Sequence, residues 1–129
     1  MVWLYIDTRQ KDQTEIAWLA EGGEIKRRHI EGRAKAVLSA IEKDWEAKAT
    51  SLKGIVIASG PGSFSSVRTG VLYANLFARF LGLPMYEIIG GGTISLEETL
   101  KKAQAGQLSR KQYVEPIYDR EPNITQPKT

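Results

Sequence analysis

The chain has 129 residues, 42% of them hydrophobic and 26% charged, with a formal net charge of +3. That length suits one domain whose core needs no crosslinks, and the absence of cysteine excludes a disulfide framework and any thiolate-bound metal. No apolar run approaches the ~20 residues that span a bilayer, and MVWLYIDTRQ at the start lacks the pattern of a cleaved signal, so the expectation is a cytoplasmic protein without membrane contact.

In chain order, residues 2–7 (VWLYID) read as a buried strand ending at Asp7 and Thr8. Residues 14–20 form a second strand, closed by the turn Glu21-Gly22-Gly23, and residues 24–30 a third; two short connections imply an antiparallel meander. The third strand carries the densest basic cluster, Lys26, Arg27 and Arg28, followed by Arg33 and Lys35. It reads first as a solvated strand face and helix start, and second as a phosphate-binding patch. After Gly32, residues 33–48 read as one helix with Ala36, Val37, Ala40, Ile41 and Trp45 on its inner face. The continuous apolar run GIVIAS, 54–59, is typical of a central parallel strand covered on both sides. Gly60-Pro61-Gly62 turns the chain into a helix over about 65–81, capped by Ser63 or Ser65 and ended by Gly82 and Pro84. Residues 85–89 are a further buried strand, and Ser95 with Glu98 forms a capping box for a helix to about Ala105. The order β-β-β-α-β-α-β-α predicts an α/β fold: a mixed five-stranded sheet with helices on both faces, the single ribonuclease-H-like lobe of actin-like ATPases. Residues 1–106 make up this lobe; residues 107–129 form a tail with an edge strand from Tyr113 to Tyr118 and a polar, proline-containing end.

The most informative stretch is IASGPGSFSSVRTG, residues 57–70. A strand, a glycine turn and a helix start suit close backbone approach or anion binding at the helix N-terminus, which makes Asp7, Thr8, Gly60, Gly62 and Ser63 candidate contacts for an anion or nucleotide. The segment has neither the lysine of a Walker A loop nor the GxGxxG spacing, and it is not a GxSxG elbow. A hydrolase would need Ser63 or Asp7 to work with His29, the only histidine; a helix-capping Ser63 is the stronger reading. The helix that follows has a narrow polar stripe, Arg68, Asn75 and Arg79, and apolar or small residues around most of its circumference. Packing on a sheet consumes only part of that surface, so a partner subunit is expected, with coverage by the tail or the 33–48 helix as the alternative.

GPGSFSSVRTG resembles the GPGSFTGLRIG signature of the TsaB-like family, proteins of bacterial tRNA threonylcarbamoyladenosine synthesis. Gly60, Pro61, Gly62, Ser63, Phe64, Val67, Arg68 and Gly70 match, whereas Ser65, Ser66 and Thr69 depart from it. LYIDT at the start, ISLEE at 94–98 and PIYDREPNIT at 116–125 are similar to further family segments, in the right order. Family members usually carry a second lobe, so the chain resembles the first lobe joined to the closing tail. The resemblance implies a non-catalytic scaffold that supports a catalytic TsaD-like subunit, joined by a TsaE-like ATPase and meeting tRNA only indirectly. It also implies self-association through the same surface, no intrinsic cofactor, no metal, and ATP or ADP only at the complex with TsaD. The helix after GPGSF is the implied contact, with Val67, Val71, Ala74 and Ala78 at the interface, Arg68 and Asn75 at its rim, and Tyr73, Leu76, Phe77 and Phe80 toward the sheet; the reverse assignment of the two faces is the alternative. The alternatives are a nucleotide- or RNA-binding module and a glycoprotease-like hydrolase.

Overall fold

A computed structural model describes residues 1–32 and 34–119. Strand β1 (Val2–Asp7) lies between β2 (Gln13–Ala20), antiparallel, and β4 (Leu52–Gly60), parallel. Strand β3 (Ile25–Glu31) flanks β2, and β5 (Met85–Ile89) runs parallel to β4. The five expected strands are all present, and a short sixth, β6 (Ser109–Lys111), pairs antiparallel with β5 to give the order β3-β2-β1-β4-β5-β6. This β6 is the edge strand; Tyr113–Tyr118 is not a strand and only bridges Gly62 through Tyr118.

Alternation along the central strands sorts their side chains into two buried layers. Leu4, Ile6, Ile16, Trp18, Ile55 and Ile57 meet helices α1 (Ala34–Glu42) and α3 (Phe64–Leu81) on one face. Trp3, Tyr5, Leu19 and Val56 meet α4 (Leu96–Gln104) on the other. Strands covered on both sides have no polar face to show, which is why β1 and β4 read as unbroken apolar runs.

The expected 33–48 helix is interrupted. After α1 the chain turns at Lys43 and Asp44 and resumes as the short α2 (Trp45–Lys48), followed by a 3₁₀ turn at Ala49–Ser51. Asp44 causes the break by facing inward: its carboxylate, 5% exposed, accepts from Trp18 Nε1 at 3.1 Å and from Arg28 Nε and Nη2 at 2.6 and 3.0 Å. The other helix ends follow local chemistry. Ser95 Oγ accepts from the Glu98 amide at 3.2 Å as the capping box requires, and Gly82, at φ 64°, closes α3 in the left-handed region. The tail returns across α3, where Asn75 donates to the Val114 carbonyl at 2.8 Å and accepts from its amide at 3.1 Å, burying Val114.

Candidate functional site

The signature turn sits where β1 and β4 end. Asp7 accepts from the Tyr5 hydroxyl at 2.9 Å and is gripped in two-pronged fashion by Arg9, with Nε and Nη2 each at 2.9 Å from a carboxylate oxygen. Arg9 Nη1 also donates to the carbonyls of Gly90 and Gly92. Burial, reinforced by the neighbouring Asp7, holds the Tyr5 hydroxyl protonated far above its usual range, and the bond to Asp7 raises Arg9 despite its desolvation. Thr8 is buried beneath α3: its hydroxyl donates to the Ser66 carbonyl at 2.7 Å and accepts from the Gly70 amide at 3.2 Å.

The glycines are there for close approach. A Cβ on Gly62 would lie 2.6 Å from the Arg9 carbonyl oxygen, and one on Gly70 2.2 Å from Thr8 Oγ1. The Gly62 amide donates to Ile117 at 3.1 Å and the Ser63 amide to Arg9 at 2.8 Å, while Gly62 accepts from Asp119 at 2.9 Å. The Gly62 and Ser63 amides are therefore already bonded within the chain, and the turn ties the end of β1, the start of α3 and the tail together. Ser63 stands at the N-cap position of α3, but its side chain makes no capping bond there. A polar cleft of about 540 Å³ opens beside it, lined among others by Asp7, Arg9, Glu15, Arg27, His29 and Ser63. Ser63 and His29 thus share one cleft, yet no hydrogen bond joins them among the described residues.

Helix α3 faces the sheet the other way round from the sequence expectation. Val67, Val71, Ala74 and Ala78 are buried against the sheet, with Gly70 in the same stripe, and so are not on the surface. Leu72, Leu76 and Phe80 point outward, 55%, 39% and 82% exposed, whereas Tyr73 and Phe77 are half-buried at the flank, where Phe77 meets Trp45 with ring centroids 6.3 Å apart. The physical reason is proximity. Small side chains let the helix axis descend onto β4, and Gly70 brings it down onto Thr8, leaving no room beneath for Leu76 or Phe80. The stripe of Val67, Gly70, Val71, Ala74 and Ala78 was the signal that size alone obscured. Of the two expected rim residues, Arg68 is exposed and lies over the Phe64 ring, 5.0 Å from its centroid, while Asn75 is committed to the tail.

The basic cluster is largely neutralised. Arg28 and Lys26 both reach Asp44, Lys26 at 2.8 Å, and Arg27 lies 3.8 Å from Glu15 and 3.9 Å from Glu97. The bonds from Arg28, then Lys26, hold the Asp44 carboxyl well below the usual carboxylate range against the opposing cost of its burial. Arg33 and residues 120–125 of the family-like ending lie outside the described residues.

Comparison with known proteins agrees with this architecture. The family model described as TsaD, tRNA N6-adenosine threonylcarbamoyltransferase, matches residues 21–105, more than half of the chain. The solved structure of YeaZ from Pseudomonas aeruginosa superposes with a TM-score of 0.60 at 20% identity, over 69% of this chain and 45% of that one. A protein described as similar to the peptidase YeaZ from Pseudomonas aeruginosa superposes at 0.61, also at 20% identity, over 68% and 43%. No curated protein matches the chain. The chain spans less than half the length of these two solved structures, with which it shares the actin-like fold. No helix among the described residues is long and apolar enough to cross a membrane. With the family model and the fold in agreement, the chain belongs to the family whose model is described as TsaD, tRNA N6-adenosine threonylcarbamoyltransferase.

Proposed function

We propose that the protein is a non-catalytic scaffold subunit in tRNA threonylcarbamoyladenosine modification, binding and supporting a TsaD-like catalytic subunit through the outer face of α3. The observation that carries this reading is the apolar row Leu72, Leu76 and Phe80, left open on the helix that the signature turn anchors. Residues four apart align on one helical face, and three large side chains standing out together are the raw material of an interface core. A second copy competes for the same face, a TsaE-like ATPase joins through the partner, and tRNA is met indirectly. ATP or ADP binds only at the complex.

The strand-end chemistry supports a supporting role rather than a catalytic one. Asp7 is the acid best placed to serve a phosphate or metal, and Arg9 and Tyr5 occupy both of its oxygens. Among the described residues no base is bonded to Ser63, so nothing in their geometry activates it as a nucleophile.

The test is the mass of the purified chain in solution, alone and mixed with the TsaD-like protein of the same organism, for wild type and Phe80→Asp. A one-to-one complex or a homodimer that Phe80→Asp weakens by about 30-fold or more supports the scaffold reading. A wild-type chain that stays monomeric beside TsaD overturns it.

A further inference from the structure

We infer that the groove between α3 and β6 is a docking site for an acidic peptide segment with apolar anchors, a surface that shares Leu72 and Leu76 with the face proposed above and extends it to β6. The groove encloses about 790 Å³, and Leu72, Leu76 and Leu83 contribute aliphatic surface to it, with the buried Val71 and Met85 completing the lining. Arg68 and Arg79 stand along its helical wall, eleven residues or ~16 Å apart at the helical rise. Arg110 and Lys111 of the edge strand β6 form the facing wall, which continues through Tyr113, 66% exposed.

Two features select the occupant. No aspartate or glutamate lines the groove, and none of its four cations enters an ion pair among the described residues, whereas Arg9, Lys26, Arg27, Arg28 and Lys53 all do. Unneutralised cations on opposite walls repel one another and gain most from an anionic guest placed between them. The aliphatic surface excludes a purely ionic guest, because its burial is favourable only against apolar side chains. A polynucleotide would supply the charge but seeks a succession of flat aromatic platforms for its bases, and the groove presents mainly branched aliphatic side chains with the single ring of Tyr113. A peptide that alternates Asp or Glu with Leu, Ile or Phe satisfies both halves: its anchors fill the trough and its carboxylates meet the arginines and lysine. Asn75, the neutral polar side chain in the middle of the helical wall, is already bonded to Val114 and leaves the recognition to charge and shape.

Phe80 does not line this groove, so a substitution there tests the outer row of α3 while leaving the groove lining intact. Random short peptides displayed on phage are selected on wild type, and the recovered peptides are measured by fluorescence anisotropy against wild type, Arg79→Glu/Lys111→Glu and Phe80→Asp, each shown to be folded by circular dichroism. The expected result is enrichment of acidic peptides with apolar anchors. Their binding weakens by about tenfold or more in the doubly substituted protein and with rising salt, and is unchanged in Phe80→Asp. Selection without an acidic bias, or acidic peptides that bind both proteins equally, would overturn the inference. So would a short oligouridine that binds wild type more tightly than any peptide and loses that binding in the double variant, which would make the groove a nucleic-acid surface. Failure of Phe80→Asp to disrupt the TsaD complex bears only on the scaffold reading.

Discussion

Thr8 and Gly70 form one unit, because the hydroxyl of the first occupies the space that a side chain on the second would take. Gly70→Ala is expected to cost about 2 kcal/mol through overpacking, read as a lower midpoint in urea unfolding. In the double variant Thr8→Ala/Gly70→Ala the clashing hydroxyl is gone, so the two losses should be less than additive by about 1 kcal/mol; full additivity would mean that the two groups do not share the site. Asp44 is the other residue with a disproportionate role. Its folded carboxyl binds a proton more weakly than the unfolded one, so its contribution is complete above the unfolded value near ~4 and fades as the pH falls toward the lower folded value. Wild type should therefore lose stability between about pH 5 and pH 2 in a way that Asp44→Asn does not, while the variant is weaker at neutral pH by about 2 kcal/mol because the amide keeps one acceptor oxygen but loses the second and the charge that Arg28 pairs with. Equal acid slopes for the two proteins would refute the assignment. Asp44 was not legible in the sequence: an acid within an amphipathic pattern looks solvated, and only the return of β2 and β3 beside it reveals three donors.

At the scale of the element, the existence and limits of α3 could be read because a glycine turn, an apolar period and a Gly–Pro stop all agree. Its excess of apolar surface was equally legible. Which face lies down was not, because periodicity gives the two faces and leaves their depth to the contacts beneath. Size suggested Leu76 and Phe80 inside, yet a helix pulled onto β4 by Gly70, Ala74 and Ala78 has room only for small residues. The consequence is measurable. Val71→Asp places a carboxylate in the core and is expected to unfold the protein or cost more than about 3 kcal/mol, so it does not isolate an interface. Phe80→Asp exchanges an exposed ring for a carboxylate and should leave the thermal midpoint of the isolated chain at low concentration almost unchanged. A collapse of Phe80→Asp comparable with that of Val71→Asp would reverse the two faces again. Asn75→Ala removes both bonds to Val114 and should cost about 1–2 kcal/mol, with protease cleavage appearing first after β6, where the tail crosses the helix.

For the molecule as a whole, the strand sequence and its mixed sheet were legible because each short meander connection and each apolar run constrains a neighbour. The path of the tail was less so, since it depends on backbone bonds from Ser59 and Gly62 to Ile117 and Asp119 that no side-chain pattern announces. Those bonds close the lobe without help from a partner: both sheet faces are covered and the tail is tied down, so the isolated chain is expected to fold on its own. The outer row of α3 remains uncovered among the described residues, and this predicts how stability should respond to concentration. If α3 pairs with a second α3 when TsaD is absent, association draws on the folded state alone, and the thermal midpoint must rise with protein concentration, each tenfold increase above the dissociation constant adding about 1.4 kcal per mole of dimer, half of that per chain. Phe80→Asp removes the association and should show one midpoint at every concentration, equal to that of wild type when dilute. Saturating TsaD should displace the second copy, because both seek the same helix, and the homodimer should disappear as the complex forms. A midpoint independent of concentration in wild type together with a TsaD complex would assign the face to TsaD alone. A rise that persists undiminished in Phe80→Asp would place self-association elsewhere on the lobe and leave Leu72, Leu76 and Phe80 without the role argued for them.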